Sequence, residues 1–404
     1  MHIFLSCLQS VRAHPLTHYR HWEGHFKRGI EEAGHSWVDE PSLDWAEGLV
    51  AADPAAQARW RARTWPRVVD CVRRSHRRQR IDLFLSYLFP QQIDREAVEE
   101  VRSLGIPCVN FFCDNVREFA RIPPEYSPFD LHWVPEVKAL DMYAREGLPA
   151  IFRPMPCWVS PEVRGWDHPE EYGVTFVGSC DELRGELASR AIQLGVPLQL
   201  YGRGWDKTET GTNETAPTRR LRSVIPNQVA LARRDGPLAV LRKVARTARP
   251  VAEPSLPLAA IHGSPDGATL YRVLQRSTVT LGINRYPSLR RSRTAPDSYS
   301  RLRDVEAPMV GACYVTEHTP EIERLYDVGE EVATYRSPEG LAETIAKLLA
   351  DGDRRLKMRR GAQRRALTEH TVARSLEAIA TALSLGPAQG ASRRVDSRLG
   401  QVTS

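Results

Sequence analysis

Short apolar runs alternate along this chain with stretches whose apolar residues recur every three to four positions. That alternation predicts buried parallel strands separated by amphipathic helices, an α/β fold with helices on both faces of the sheet. In the first half, residues 2–8 read as a strand, 18–34 as a helix closed by Gly34, 55–77 as a helix and 81–89 as a strand. A helix over 94–105, a strand over 107–113, a strand over 130–134, a helix over 136–147 and a strand over 150–153 complete a first unit. Prolines spaced from Pro154 to Pro169 mark a linker, and the pattern then restarts. Strands are expected at 173–177, 197–201, 258–261, 278–283 and 312–316, and helices at 181–194, 268–275, 299–308, 321–326, 338–349, 353–367 and 372–383. The final helix is a candidate to cross back over the first unit. The expected organisation is an N-terminal Rossmann-like unit over 1–156, a linker over 157–170, a C-terminal Rossmann-like unit over 171–385 and a disordered tail over 386–404. Two such units imply a cleft between them, and ligands of open α/β sheets sit at the carboxyl ends of strands.

The stretch from Asp206 to Pro257 breaks the alternation. Within it, residues 237–248 place Leu238, Leu241, Val244 and Ala248 on one helical face and Arg242, Lys243 and Arg246 elsewhere. Such a helix packs on its own domain or rests weakly on an anionic membrane surface.

With 404 residues and 42% hydrophobic content, the chain has material for two or three cores. The 56 Lys+Arg against 50 Asp+Glu leave +6, too little for a dedicated nucleic-acid binder. Only six of those cations are Lys. Arg matches phosphate with a planar fork, but a GC-rich coding sequence produces the same bias. The seven cysteines are scattered without a Cys-x-x-Cys pair, which argues against a disulfide framework or a zinc site and suits a reducing cytoplasm. Residues 1–10 lack the basic leader of a secretory signal, and no run of about 18 apolar residues occurs.

No Gly-x-Gly-x-x-Gly or Gly-x-x-x-x-Gly-Lys-Ser/Thr follows a strand, which disfavours a dinucleotide oxidoreductase and a P-loop NTPase. Gly178-Ser179 instead sit at a strand's carboxyl end, with Arg184 in the first turns of the next helix, an arrangement suited to a diphosphate. His14, His18, His21 and His25 have helical ligand spacing, yet Pro15 interrupts it and no carboxylate or Cys partner is evident, so no metal site is expected.

The segment Leu302-Arg-Asp-Val-Glu-Ala-Pro-Met-Val-Gly-Ala312 resembles the donor-domain motif of GT-B glycosyltransferases of the group 1 type, in particular the CgeB-like (spore maturation protein) branch. The stretches 174–179, 200–205, 279–284, 328–335 and 369–371 are similar to that family in the same order, and 105–114 is similar to its acceptor-domain strand ending in Asp. The resemblance implies a GT-B fold, two Rossmann-like domains across a cleft, and hexosyl transfer from a nucleotide-sugar to a hydroxyl acceptor without a metal or other cofactor. UDP-, GDP- and dTDP-sugars are not distinguished.

The resemblance further implies that Glu306 accepts hydrogen bonds from the donor's ribose hydroxyls, the alternative being a Glu ion-paired with Arg303. Arg303 and Arg184 would neutralise the diphosphate, Gly178 and Ser179 would let backbone approach it, and Gly263 and Asn284 would line the nucleotide pocket. Group 1 enzymes that retain configuration carry a second Glu eight positions upstream, where this chain has Ser298. The stereochemical outcome stays open, and an inverting enzyme would need a base in the first unit, for which Asp114 and His14 are the candidates. A non-catalytic GT-B-like binding or assembly protein of a spore or cell envelope is the alternative function.

Overall fold

The computed structural model describes residues 1–7, 9–10, 12, 19–51, 53–206, 256–288 and 290–385. His14, His18, the amphipathic stretch 237–248 and the tail 386–404 lie outside the described residues.

The first unit runs β1 (His2–Ser6), α1 (Tyr19–Glu32), β2 (Ser36–Val38), α2 (Glu47–Val50), α3 (Pro54–Arg78), β3 (Leu83–Ser86), α4 (Arg95–Ser103), β4 (Cys108–Phe111), α5 (Asn115–Glu118), β5 (Leu131–Val134), α6 (Val137–Arg145) and β6 (Ala150–Phe152). Its six strands pair in parallel in the order β2-β1-β3-β4-β5-β6. Every residue of β3, β4 and β5 is buried, because helices cover both faces. That burial is why these strands read as unbroken apolar runs. Helix α3 starts where the Asp53 carboxylate accepts the Ala56 N–H at 2.7 Å and Pro54 fills the first position.

The second unit runs β7 (Tyr172–Val177), α7 (Glu182–Gln193), β8 (Leu198–Tyr201), β9 (Ile261–His262), α8 (Gly267–Arg276), β10 (Ser277–Gly282), α9 (Arg303–Met309), β11 (Tyr314–Glu317), α10 (Pro320–Leu325), β12 (Ala333–Tyr335), α11 (Pro338–Leu349), α12 (Gly352–Glu369) and α13 (Val372–Ala382). Its sheet, also parallel, has the order β12-β11-β10-β7-β8-β9.

Two local expectations are corrected. Residues 258–260 form a 3₁₀ turn, and only Ile261 and His262 pair with β8. The helix expected from 299 begins at Arg303, because Tyr299 is drawn into the first unit's core and the Asp304 carboxylate holds the Arg301 N–H at 2.9 Å. Pro308 inside α9 cannot donate to the Asp304 carbonyl, and the buried Tyr326 hydroxyl donates there instead at 2.8 Å.

Three segments tie the units together. The linker is anchored by Trp133, whose indole N–H meets the Arg153 and Pro154 carbonyls at 3.2 and 2.9 Å. Where it passes the end of α9, Gly311 has φ +78° and a Cβ there would sit 1.9 Å from the Gly165 carbonyl oxygen, so glycine is required. Helix α13 does cross back: Val372, Leu376 and Ile379 are buried in the first unit's core. The irregular segment 284–302 also reaches over, burying Tyr286 and Tyr299 in that core. Its Arg290 donates to the carbonyls of Val116, Glu118 and Phe119 at 3.1, 2.8 and 2.7 Å, satisfying the end of α5.

Candidate functional site

A cavity of about 510 Å³ opens between the two units at the carboxyl ends of their strands. Of the residues expected at the site, Asp114, Gly178, Ser179, Arg184, Asn284, Arg303 and Glu306 line it. Gly263 follows β9 at the far edge of the second sheet and is not among the lining residues. His14 lies outside the described residues.

Gly178 follows β7, and its carbonyl is fixed by the Trp205 indole N–H at 2.7 Å. Gly202, at φ +141°, passes so close that a Cβ would lie 2.2 Å from that carbonyl oxygen, so the turn is packed backbone on backbone. The N-terminal N–H groups of α7 are not open to an anion, because the Asp181 carboxylate accepts both Leu183 N–H and Arg184 N–H at 3.0 Å. The anion-seeking group here is the Arg184 side chain itself. It lies over the Phe176 ring at 5.6 Å and donates to the Ser179 carbonyl at 3.0 Å, while its buried Nε, without a hydrogen bond, lies 3.5 Å from the Asp181 carboxylate. Burial makes its charge costly and lowers its pKa, with the Asp181 carboxylate opposing the shift and the nearby Arg301 cation adding to it.

Arg301, read from the sequence as part of a helix over 299–308, sits in the irregular segment before α9. Its guanidinium stacks on Tyr299 at 4.1 Å, donates to that hydroxyl at 2.7 Å, and lies 3.7 Å from Asp114. Its Nε–H is also buried without a hydrogen bond. Two guanidinium Nε–H groups without a hydrogen bond thus belong to arginines on one cavity wall, that of Arg184 being ion-paired with Asp181. A buried donor left unmade costs roughly 1–3 kcal/mol, more when charged, and an anion relieves that cost.

Arg303 is differently employed, pairing with the buried Glu306 carboxylate. Burial first, then the nearby Glu306 carboxylate, raise the pKa of Tyr271 on α8. Asn284 is a wall residue whose amide is spent on structure, donating to Thr316 Oγ1 and the Glu317 carbonyl at 3.1 and 3.0 Å. Asp114 precedes α5 but does not cap it. That duty falls to Glu136, which accepts from Asn115 N–H at 2.9 Å and Val116 N–H at 3.3 Å. Burial pushes Glu136 up to about 8 against these donors. Asp114 is left to accept a hydrogen bond from Tyr299 across the cleft.

His21, half of the expected i, i+4 histidine pairing, lines the cavity, and His25 stands behind it with the two Nε2 atoms 3.3 Å apart. His25 Nδ1 lies 3.0 Å from the Trp158 N–H and 3.1 Å from the Trp158 carbonyl. Among the described residues no group of three His, Cys, Asp or Glu is placed to hold a metal. Burial first, and then His21, lower the His25 pKa to about 4, with Glu306 opposing the shift and Arg303 adding to it. The unfolded chain therefore binds the proton first as pH falls, and this residue's contribution is complete above about pH 6.5 and declines towards pH 4, by about 3 kcal/mol. The stability difference between wild type and His25→Gln is expected to shrink from pH 8 to pH 5 in urea titrations; a constant difference contradicts it.

With this geometry in place, the architecture is that of GT-B glycosyltransferases. A family model described as glycosyl transferase-like matches residues 248–381. Among solved structures, sucrose-phosphate synthase from Thermosynechococcus elongatus superposes with a TM-score of 0.53 at 12% identity, covering 95% of this chain and 99% of that one. The Anabaena protein HepE, in complex with UDP-glucose, superposes with a TM-score of 0.51 at 13% identity over 95% and 99% of the two chains. No curated protein matches the sequence. No helix among the described residues is long and apolar enough to cross a membrane.

Proposed function

We propose that this protein is a glycosyltransferase that moves a hexosyl group from a nucleoside-diphosphate sugar to a hydroxyl acceptor, without a metal. The observation that carries the reading is the second unit's wall of the cleft. There a buried carboxylate, Glu306, lies beside a small-residue backbone turn and two arginines with unbonded N–H groups. A carboxylate takes both ribose hydroxyl protons at once, and two guanidinium groups match a diphosphate. Negative charge grows on that diphosphate as the bond to the sugar breaks, so Arg184 and Arg301 act on the transition state. Arg301 here takes the place that Arg303 was expected to fill, Arg303 instead holding Glu306.

The UDP-glucose complex of HepE supports a uridine donor, and the order of motifs from 174 to 371 supports placement in the CgeB-like branch, working in the cytoplasm. The test is a thermal-shift titration with UDP, GDP and dTDP. One of them is expected to raise Tm by several degrees, since saturation at 1,000 times Kd adds about 4 kcal/mol. If the folded protein binds none of them, the reading fails.

A second reading, a GT-B-like assembly protein that binds nucleotide without turnover, is favoured by Ser298 at the position of the absent glutamate, where it pairs with Arg285 in an isolated bridge. Nucleotide binding without release of UDP from UDP-glucose in the presence of acceptors would select it.

A further inference from the structure

The two walls of the cleft differ in chemistry. All three arginines lining the cavity, Arg184, Arg301 and Arg303, come from the second unit. The first unit contributes Trp22, Leu49, Tyr87, Phe89 and Met155, with His21 and Asp114 as its polar side chains apart from the Tyr87 hydroxyl. That hydroxyl is buried and engaged with the Cys113 thiol at 3.7 Å. Asp114 accepts from Tyr299 through Oδ1, and its Oδ2 lies 3.9 Å from the Cys113 thiol. The aromatic rings form a fixed surface: Trp22 meets Tyr87 at 5.5 Å and Phe111 at 5.3 Å, and Phe89 meets Tyr87 at 5.6 Å and Phe112 at 4.9 Å.

A glycan acceptor brought against this wall would lose water from several hydroxyls and find almost no partners for them, a cost incurred per unpaired group. An acidic acceptor would find no Lys or Arg among the described residues that line this side. A flat apolar ring would pack against the partly exposed Trp22 and Phe89 at no such cost.

Resting on the donor reading above, we infer that this wall is the acceptor subsite for a neutral hydroxyl carried on an aromatic or other flat apolar skeleton, and that His21 receives the hydroxyl proton. In the step, the acceptor oxygen bonds to the anomeric carbon as its proton passes to His21. The bond from that carbon to the diphosphate oxygen breaks, and its electron pair leaves with the diphosphate. His25 is a positioning residue. Its Nδ1 can accept from the Trp158 N–H or donate to the Trp158 carbonyl, so its Nε2 can serve His21 as donor or acceptor without either ring moving. The charged groups acting on His25 are Glu306 and Arg303 from α9, and its low pKa keeps it neutral throughout.

The test uses the full chain with 4-methylumbelliferone as a flat phenol and maltotriose as a glycan, each titrated with UDP present, UDP affinity being measured separately. The phenol is expected to bind and maltotriose not to. Trp22→Ala should weaken the phenol at least tenfold and leave UDP within twofold, and Phe89→Ala, at the rim, provides the same reading should Trp22→Ala misfold. His21→Gln should keep phenol and UDP affinity but slow transfer from UDP-glucose about 10²–10³-fold, and should remove the acid limb of the pH–rate profile. Maltotriose binding in preference to the phenol, or phenol affinity indifferent to both aromatic variants, overturns the acceptor class. Unchanged rate and pH profile in His21→Gln overturn the proton acceptor. Absence of UDP binding sinks the donor reading instead, and the phenol titration still reads the wall.

Discussion

Replacing Glu306 by alanine is expected to weaken UDP binding about a hundredfold or more while the protein stays folded. The carboxylate is buried at the start of α9, where Asp304 beside it is held by the Tyr314 and Thr316 hydroxyls at 2.8 and 2.7 Å. The helix start is therefore fixed by groups other than Glu306. Two charge-assisted hydrogen bonds to ribose, at roughly 1.5–3 kcal/mol each, add up to about 3–6 kcal/mol. The loss should be much the same for UDP and UDP-glucose, since the interaction does not involve the sugar. Calorimetric titration checks it, and wild-type affinity in the folded variant would remove Glu306 from the site.

Arg301→Ala is expected to act on rate more than on binding, lowering kcat about 10²–10³-fold, the scale seen when one preorganised donor to a developing anion is removed. Arg301→Lys should recover little of this. The guanidinium is shared between the Tyr299 ring face, the Tyr299 hydroxyl and the orphaned Nε–H, which a single ammonium cannot serve together. Arg303→Ala should instead raise the donor's Kd, because it removes the cation that holds the Glu306 carboxylate in position and in its charged form. Single-turnover measurements separate the two variants; equal effects of Arg301→Ala on Kd and none on kcat would contradict the assignment.

The chain's own pattern determined the two α/β units, the linker between them and one wall of the cleft. Buried parallel strands must be continuously apolar, so β3, β4 and β5 announce themselves, and strand ends followed by Gly178-Ser179, or a helix start carrying Glu306, are local signatures. Arg184 reached the site for the same reason, although Asp181 took the helix N–H groups thought open to phosphate.

What only the tertiary structure decided lies where partners are far apart in sequence. Tyr299 and Asp114 are 185 positions apart, and nothing in the aperiodic segment 284–302 says that it will reach into the other unit and deliver Arg301. The spacing of His21 and His25 is that of metal ligands, although the sequence shows no further partner to complete a site. The Trp158 backbone, 133 residues from His25, makes them a hydrogen-bonded pair instead. Nothing in the sequence sets Trp22, Leu49 and Phe89 apart from core residues. Local periodicity reports which residues leave water, but whether an apolar side chain fills a core or faces a cleft depends on what the second unit leaves uncovered.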